Sequence, residues 1–220
     1  MKKLIIDFDS TLVKIETLDK LAELALAENE NKDEIVEEIK RITEMGMNGE
    51  ITFPESLERR ISLINTHKDI VESLARLIKE ELSDSVLDNL DFFMKNRNDI
   101  FIISGGFKDL IFPTAEILGV YPKNILANDF VFDENGVLAG VDKENLMAKE
   151  NGKVNQLKEL NLSGELIMVG DGWTDYQVRE FGVADKFIAY TENVSREKVV
   201  RKADIVVDNF NEVIGYFYKK

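Results

Sequence analysis

The sequence of 220 residues contains no cysteine and only three prolines. Without cysteine, the chain can form no disulfide bond, use no thiol nucleophile and bind no metal through sulfur. The low proline content, together with a 44% share of hydrophobic residues, excludes a collagen-like or disordered chain. The length fits one large domain or two small ones, so we expect a globular protein with a hydrophobic core.

Basic residues are also scarce, because 28 lysines and arginines face 42 aspartates and glutamates, which gives a formal net charge of −14. Nucleic acids and anionic membranes both require a basic protein surface, so neither is expected as a partner. Asp7 and Asp9 interrupt the first apolar run long before it could cross a bilayer. Since the absence of cysteine also suits a reducing compartment, we predict a cytoplasmic protein.

Short β-rich runs alternate with amphipathic helical patterns along most of the chain. This alternation predicts an α/β fold with a doubly wound, mostly parallel, Rossmann-like sheet. Pro113 predicts a kink or a displaced start in the helix that contains it. The predicted strands span residues 3–8, 100–103, 166–169, 187–190 and 205–207, and the predicted helices span 107–118, 151–160, 174–181, 195–201 and a last segment from 209.

Two segments interrupt the alternation. Residues 17–97 show helical patterns and no strand, which predicts a helical-bundle cap at 16–97 inserted after the first strand of a core formed by 1–15 and 98–220. The nine acidic and four basic residues between 19 and 44 indicate a solvated helix surface. Asn135-Gly136, between apolar segments at 130–132 and 137–139, predicts a small β-hairpin.

Paired carboxylates end the first predicted strand. Asp7 and Asp9 are two residues apart, so both side chains lie on one side of an extended backbone. Open α/β sheets bind their ligands at the carboxyl ends of the strands, which is where this pair is expected. A shared divalent cation would relieve the repulsion between the two carboxylates. Taken alone, the pair slightly favours a solvated turn over a metal site, so the other strand ends must decide between them.

Other strand ends carry further polar groups. Ser104-Gly105-Gly106 follows the second predicted strand and offers a hydroxyl and free amides to an anion. Asp171 and Asp175 follow the third, and Lys153 lies at a predicted helix start. Because the sheet brings these strand ends together, the residues predict one convergent site.

In combination, these motifs resemble those of haloacid dehalogenase-like phosphatases, and most closely those of the phosphoserine phosphatase family in its eukaryote-like branch. The resemblance covers nearly the whole chain. It includes cap stretches at 47–53 and 56–60 and an asparagine, Asn128, before the hairpin. The four motifs are Asp7-Phe8-Asp9-Ser10-Thr11 running on to Glu16, Ser104-Gly105-Gly106, Lys153, and Gly170-Asp171-Gly172-Trp173-Thr174-Asp175.

The resemblance implies phosphomonoester hydrolysis through an aspartyl-phosphate, with O-phospho-L-serine as the expected substrate, in serine biosynthesis. It implies Asp7 as nucleophile and Asp9 as general acid and base. It also implies Mg²⁺ as cofactor, held by Asp7, the Asp9 backbone carbonyl and Asp171, with Asp175 in support. The implied substrate-binding residues are Glu16, Met47, Phe53, Arg60, Ser104, Gly105, Gly106, Lys153 and Thr174.

Two positions depart from the family pattern, and alternatives therefore stay open. Trp173 stands where a small residue is usual, and Asp129 stands where a basic residue is common. A phosphatase or phosphotransferase for another small metabolite would use the same motifs. A receiver-like domain fits less well, because its phosphorylated aspartate follows an interior strand and it has no inserted cap. We expect a monomer or homodimer.

Overall fold

The computed structural model describes residues 1–219 and forms two sheets. Every pairing in the larger sheet is parallel, and the smaller sheet is an antiparallel hairpin. The strands are β1 (Lys2–Ile6), β2 (Ile100–Phe107), β3 (Ile125–Asn128), β4 (Phe130–Phe132), β5 (Leu138–Val141), β6 (Glu165–Gly170), β7 (Lys186–Tyr190) and β8 (Ile205–Val207).

The larger sheet has six strands in the order β3-β2-β1-β6-β7-β8. The chain builds outward from β1 in one direction and then returns to build outward in the other, which is the doubly wound arrangement predicted from the alternation. The strand order reverses between β1 and β6. In such sheets the ligand crevice opens at this reversal, beyond the carboxyl ends of the strands.

Eleven helices accompany the sheets in the described part of the chain. Short 3₁₀ turns at Ile78–Glu81, Pro122–Asn124 and Leu146–Ala148 connect some of them. The helices are α1 (Thr17–Ala25), α2 (Lys32–Met47), α3 (Phe53–Leu63), α4 (Lys68–Leu77), α5 (Asp84–Leu87), α6 (Leu90–Asn96), α7 (Lys108–Ile117), α8 (Gly152–Leu160), α9 (Trp173–Glu180), α10 (Glu197–Val200) and α11 (Phe210–Tyr218). Residues 1–219 include no helix both long and apolar enough to span a bilayer.

Successive side chains of β1 point to opposite faces of the sheet and pack into two separate hydrophobic cores. Leu4 and Ile6 join the core that includes α7, α11 and much of the helical insertion. Ile5 points to the opposite side and joins the core under α8, α9 and α10. All three side chains are completely buried. Because both faces of the central strand are covered, an uninterrupted apolar run is the pattern that such a strand requires.

The insertion after β1 is helical, as predicted, but its last helix packs against the core. The ring of Phe93 in α6 stacks on Phe210 in α11 with centroids 4.9 Å apart, and Phe92 meets Phe217 edge to face at 5.4 Å. The division at residue 97 therefore stays a prediction, and these contacts favour a cap that ends before α6.

Several local predictions need correction. Strand β2 is longer than the predicted 100–103, because residues 104–107 continue it, and α7 begins at Lys108. Pro113 lies inside α7, which continues to Ile117. Strand β3, Ile125–Asn128, is a further strand beyond those predicted from the sequence.

Replacing Phe93 tests the contact between α6 and α11. Phe93→Ala removes a fully buried ring from the stack, and it should lower the free energy of unfolding by about 3–5 kcal/mol in urea titrations. Phe112→Ala is the matched control, because Phe112 in α7 is 38% exposed, and the change should stay within about 0.5 kcal/mol. Equal losses in the two variants would contradict the packing described here.

Candidate active site

Three adjacent strands deliver polar side chains to the predicted crevice. Asp7 follows β1, Ser104 lies near the end of β2, and Asp171 follows β6. All three are nearly inaccessible, with exposures of 3%, 1% and 3%. Buried polar groups are costly unless they are paired, so their partners determine how the site works.

Lys153 is the central cation of the site. It lies in the first turn of α8, and its ammonium contacts Asp7 Oδ2 at 2.7 Å and Asp175 Oδ1 at 2.6 Å. Burial alone lowers the pKa of an ammonium group, but the carboxylates of Asp175 and Asp7 outweigh burial and raise the pKa of Lys153. The lysine therefore stays charged between two buried acids.

Among residues 1–219, no cation forms a comparable ion pair with Asp9. Its carboxyl accepts hydrogen bonds from the Thr17 hydroxyl at 3.1 Å and the Thr17 amide at 3.3 Å, at the start of α1. Burial, followed by the negative charges of Glu16 and Asp7, raises the pKa of Asp9 well above its usual range. The environment thus favours a protonated carboxyl, which is the form that can donate a proton.

Carboxylate oxygens of Asp7, Asp171 and Asp175 lie within 4.8 Å of one another, so this cluster could hold a metal ion. The donors are all oxygen atoms, which is the chemistry that hard divalent cations prefer. Burial and the charge of Asp7 raise the pKa of Asp175 to about 7 in spite of Lys153. The residues therefore fit a cation that would balance their excess negative charge.

Arg196 was not identified from the sequence. It follows β7 and is 5% exposed, and its guanidinium contacts Asp171, Glu44 in α2 at 3.0 Å and Glu16 at 3.5 Å. The available signal was its place beyond a strand at the same edge of the sheet. An isolated arginine is ordinarily a surface residue, so that signal was weak.

Glycines let the cap approach the core loops. A Cβ atom at Gly105 would lie 2.6 Å from the ring of Phe53, the first residue of α3, so only glycine fits beneath that ring. Beside it, the Ser104 hydroxyl accepts a hydrogen bond from the Gly106 amide at 2.9 Å. This loop therefore combines a cap contact with groups able to hold phosphate oxygens.

The cap also contributes Arg60, which is 6% exposed. Its hydrogen bonds are long, at 3.3 Å to the Ser56 carbonyl and 3.4 Å to the Thr43 hydroxyl. Among residues 1–219 no carboxylate lies within 4.0 Å of its guanidinium. Burial lowers the pKa of Arg60, with Asp19 the largest opposing influence. A buried cation without a paired carboxylate could bind an anion.

One cavity between cap and core brings together nearly all the predicted side chains. Asp171 and Asp175 lie beside it, in the carboxylate cluster described above. The predicted residues among its lining are Asp7, Asp9, Glu16, Met47, Phe53, Arg60, Ser104, Gly105, Gly106, Lys153 and Thr174.

A model of the haloacid dehalogenase-like hydrolase family matches residues 4–180, which is most of the chain. The chain therefore belongs to the haloacid dehalogenase-like hydrolase family. Among its relatives in this family is a phosphoserine phosphatase of Methanocaldococcus jannaschii, which is 32% identical over 98% of this chain and 97% of that protein. The motif resemblance is confirmed, and the chain is an enzyme of the phosphatase type.

Solved structures of haloacid dehalogenase-like hydrolases share its fold. A phosphoserine phosphohydrolase-like protein from Francisella tularensis superposes with a TM-score of 0.88 and is 33% identical, covering 98% of this chain and 99% of that one. A phospho-aspartyl intermediate analogue of phosphoserine phosphatase has a TM-score of 0.77 at 28% identity, covering 98% of each chain. These matches confirm the predicted fold.

The structure shows the contacts of Asp129 and Trp173, the two residues that depart from the family pattern. Asp129 accepts from the Lys108 ammonium at 2.8 Å and from the Asn145 amide at 2.7 Å, so its charge is neutralised locally. Trp173 begins α9 and lies against Gly49 of the cap. Neither side chain lines the cavity that contains Asp7.

The raised pKa of Asp19 makes the stability of the fold depend on pH. Burial and the charge of Glu16 raise its pKa to about 6, although Thr43 donates a hydrogen bond to it at 2.7 Å. Unfolding restores an ordinary pKa of about 3.9, so between these values the folded chain holds a proton that the unfolded chain releases. This contribution to stability therefore grows as the pH falls.

Replacing Asp19 tests this linkage. Asp19→Asn removes the titration, so the unfolding free energy of the wild type should rise relative to the variant by about 2 kcal/mol between pH 7 and pH 4.5. Chemical denaturation of both proteins across that range measures the difference. Parallel pH profiles for the two proteins would contradict a raised pKa.

Proposed function

We propose that the protein hydrolyses O-phospho-L-serine to L-serine and phosphate, with Mg²⁺ as cofactor and an aspartyl-phosphate intermediate. The observation that carries this proposal is Arg60, a buried guanidinium without a paired carboxylate, in the same cavity as Asp7 and Lys153. A phosphomonoester that also carries a carboxylate would satisfy both ends of this cavity. The naming of the relatives as phosphoserine phosphatases supports that choice of substrate.

In the first step, Asp7 attacks the phosphorus atom and the bond from phosphorus to the serine oxygen breaks. Lys153 contacts the Asp7 carboxylate at 2.7 Å and reduces the repulsion between that anion and the incoming phosphate. Asp9 gives its proton to the departing serine oxygen, in keeping with its raised pKa. The product of this step is phosphorylated Asp7 and free serine.

In the second step, water attacks the phosphorus atom of phosphorylated Asp7. Asp9, deprotonated by the first step, takes the proton from that water, and the bond from Asp7 to phosphorus breaks. Phosphate leaves, and both aspartates return to their starting forms. Ser104 and the amide that follows it, that of Gly105, would hold the phosphate oxygens during both steps, and both residues line the cavity.

Asp7, Asp171 and the backbone carbonyl of Asp9 would hold Mg²⁺, with Asp175 in support. When bound, this cation would neutralise charge on the phosphate oxygens and the carboxylates. The chain's own contribution is the cluster itself, in which the hydroxyl of Thr11 donates to Asp171 at 2.9 Å and thereby fixes that carboxylate.

Glu16 would bind the ammonium group of the substrate, while Arg60 binds its carboxylate. Glu16 Oε1 accepts from the Ser10 hydroxyl at 2.7 Å, which fixes the side chain directly after the catalytic loop. Met47 and Phe53 close the cavity on the cap side. Opposite charges in these two positions match a free amino acid and would discriminate against phosphate esters without one.

A metal-removal experiment tests the chemistry. Phosphate release from O-phospho-L-serine should stop in EDTA and return with excess Mg²⁺, because the cation would balance the buried carboxylates of Asp7, Asp171 and Asp175. Asp7→Asn should fall below about one thousandth of the wild-type rate, since the amide is not a nucleophile. Asp33→Asn, a change on the exposed surface of α2, is the control and should keep full activity. Full activity in chelator would contradict the proposal.

Substrate selectivity is tested with a pair of adjacent arginines. Arg60→Gln should raise KM for phosphoserine by about 10- to 100-fold, because it removes the charge-assisted hydrogen bonds between the guanidinium and the substrate carboxylate. KM for O-phosphoethanolamine, which lacks the carboxylate, should change little. Arg59→Gln is the matched control, because Arg59 pairs only with Glu38 and Glu55 at the surface. Equal losses on both substrates would move carboxylate recognition to other residues.

The finer attributes stay predictions. These are the cytoplasmic location, the monomeric or dimeric state and the role in serine biosynthesis. Phosphotransfer to an alcohol acceptor would appear in the same assays as serine release without an equal amount of phosphate.

A further inference from the structure

The cap and the core interlock through rings that lie on glycines. Phe53 of the cap lies on Gly105 of the core, as described above. Trp173 of the core lies on Gly49 of the cap, where a Cβ atom would be 2.6 Å from two atoms of the indole. In the first contact the cap supplies the ring and the core the glycine, and in the second the core supplies the ring and the cap the glycine. Trp173 is the one tryptophan in the sequence.

Gly49 lies in the cap turn, which we define as residues 48–52 between α2 and α3. The Gly49 amide donates to the Gly46 carbonyl at 3.0 Å, and the Glu50 amide donates to the Met45 carbonyl at 2.8 Å. These bonds, with a φ of +65° at Gly49, form a Schellman motif that ends α2. The fold therefore fixes the glycine firmly, and its bare surface is available to the indole.

Trp173 is fixed just as firmly on the core side. It is the first residue of α9, immediately after Gly172, whose amide donates to Asp175 at 3.0 Å. The ring packs against Tyr176 with centroids 5.0 Å apart, and the Lys198 ammonium lies 5.2 Å from the indole centroid. These neighbours hold the indole in one place, facing the cap turn.

The position of this contact gives it a function. An open groove beside Trp173 is lined by Thr52 and Glu55 of the cap and by Glu150, Asn151 and Gln177 of the core. This groove runs along the junction where cap and core meet. Met47 precedes the cap turn and Phe53 follows it, and both line the cavity that contains Asp7. Holding the turn therefore holds both cap side chains over the reacting groups.

We infer that Trp173 is a positioning residue, whose indole binds the cap turn through Gly49 and holds the cap closed over the substrate. The inference rests on the proposed phosphatase function for its kinetic consequence. The contact itself concerns only the packing of cap against core. Trp173 does not line the substrate cavity, so its effect on the substrate would pass through Met47 and Phe53, which do.

A steric test uses Gly49→Ala. The added methyl group would overlap the indole, so the cap should no longer close fully, and KM for phosphoserine should rise by about tenfold. Gly182→Ala is the matched control, because Gly182 has a similar φ of +69° but no atom within 4 Å of an added Cβ. It carries the same backbone strain without the clash, and KM should stay within about twofold.

If the KM of Gly49→Ala rises because its methyl group overlaps the indole, then removing the indole should restore part of the lost affinity. In Gly49→Ala combined with Trp173→Ala the overlap disappears, so KM should return to the value for Trp173→Ala alone, about fivefold above wild type. Trp173→Phe keeps an aromatic ring and should stay within about twofold of wild type. This variant and Trp173→Ala keep the inference testable if Gly49→Ala does not fold. Additive losses in the double variant, or equal losses in Gly49→Ala and Gly182→Ala, would overturn it.

Tryptophan fluorescence gives a readout that does not depend on activity. Acrylamide quenching reports the solvent exposure of Trp173 alone, and it should increase about twofold in Gly49→Ala and remain unchanged in Gly182→Ala. If no variant hydrolyses phosphoserine, the proposed function fails while the quenching result still decides the packing claim. Equal quenching in wild type and Gly49→Ala would contradict the inferred contact.

Discussion

The contact on which the site depends is the Lys153 ammonium between Asp7 and Asp175, at 2.7 and 2.6 Å. Two carboxylates buried this deeply could not lie side by side without a cation, because removal from water strengthens their repulsion. Lys153 itself remains charged only because both acids are present. The proposed nucleophile Asp7, the cation Lys153 and the proposed metal support Asp175 therefore depend on one another for their charged states.

The same reasoning explains how an acidic chain can accept an anionic substrate. The net charge of −14 opposes phosphate at long range, but salt screens exposed charges that lie more than a Debye length of about 10 Å from the site. Lys153 and Arg60 are buried cations that line the cavity, Arg196 is buried against Asp171, and a bound metal would add to these charges. Attraction must therefore be local, and it depends on the cap, since Arg60 belongs to α3.

The site residues at the ends of the strands could be predicted from the sequence more fully than those on other elements or at the contact between cap and core. Asp7 and Asp171 follow long apolar strands, so the parallel sheet alone predicts that they meet. Lys153 has no such signal, and only the resemblance to a family gave it a role. Arg196 was missed because its partners, Asp171 and Glu44, come from distant elements. Trp173 departs from the family pattern in the sequence, but its contact with Gly49 depends on how closely the cap approaches the core. No local sequence pattern encodes that distance.

The central claim is that Asp7 becomes phosphorylated during turnover. Borohydride added during the reaction with O-phospho-L-serine and Mg²⁺ would reduce an acyl phosphate, and peptide mass spectrometry would locate the product. The account predicts conversion of Asp7 to homoserine, dependent on both substrate and metal and absent in Asp7→Asn. Turnover without any modification of Asp7, or with modification at another carboxylate, would contradict it.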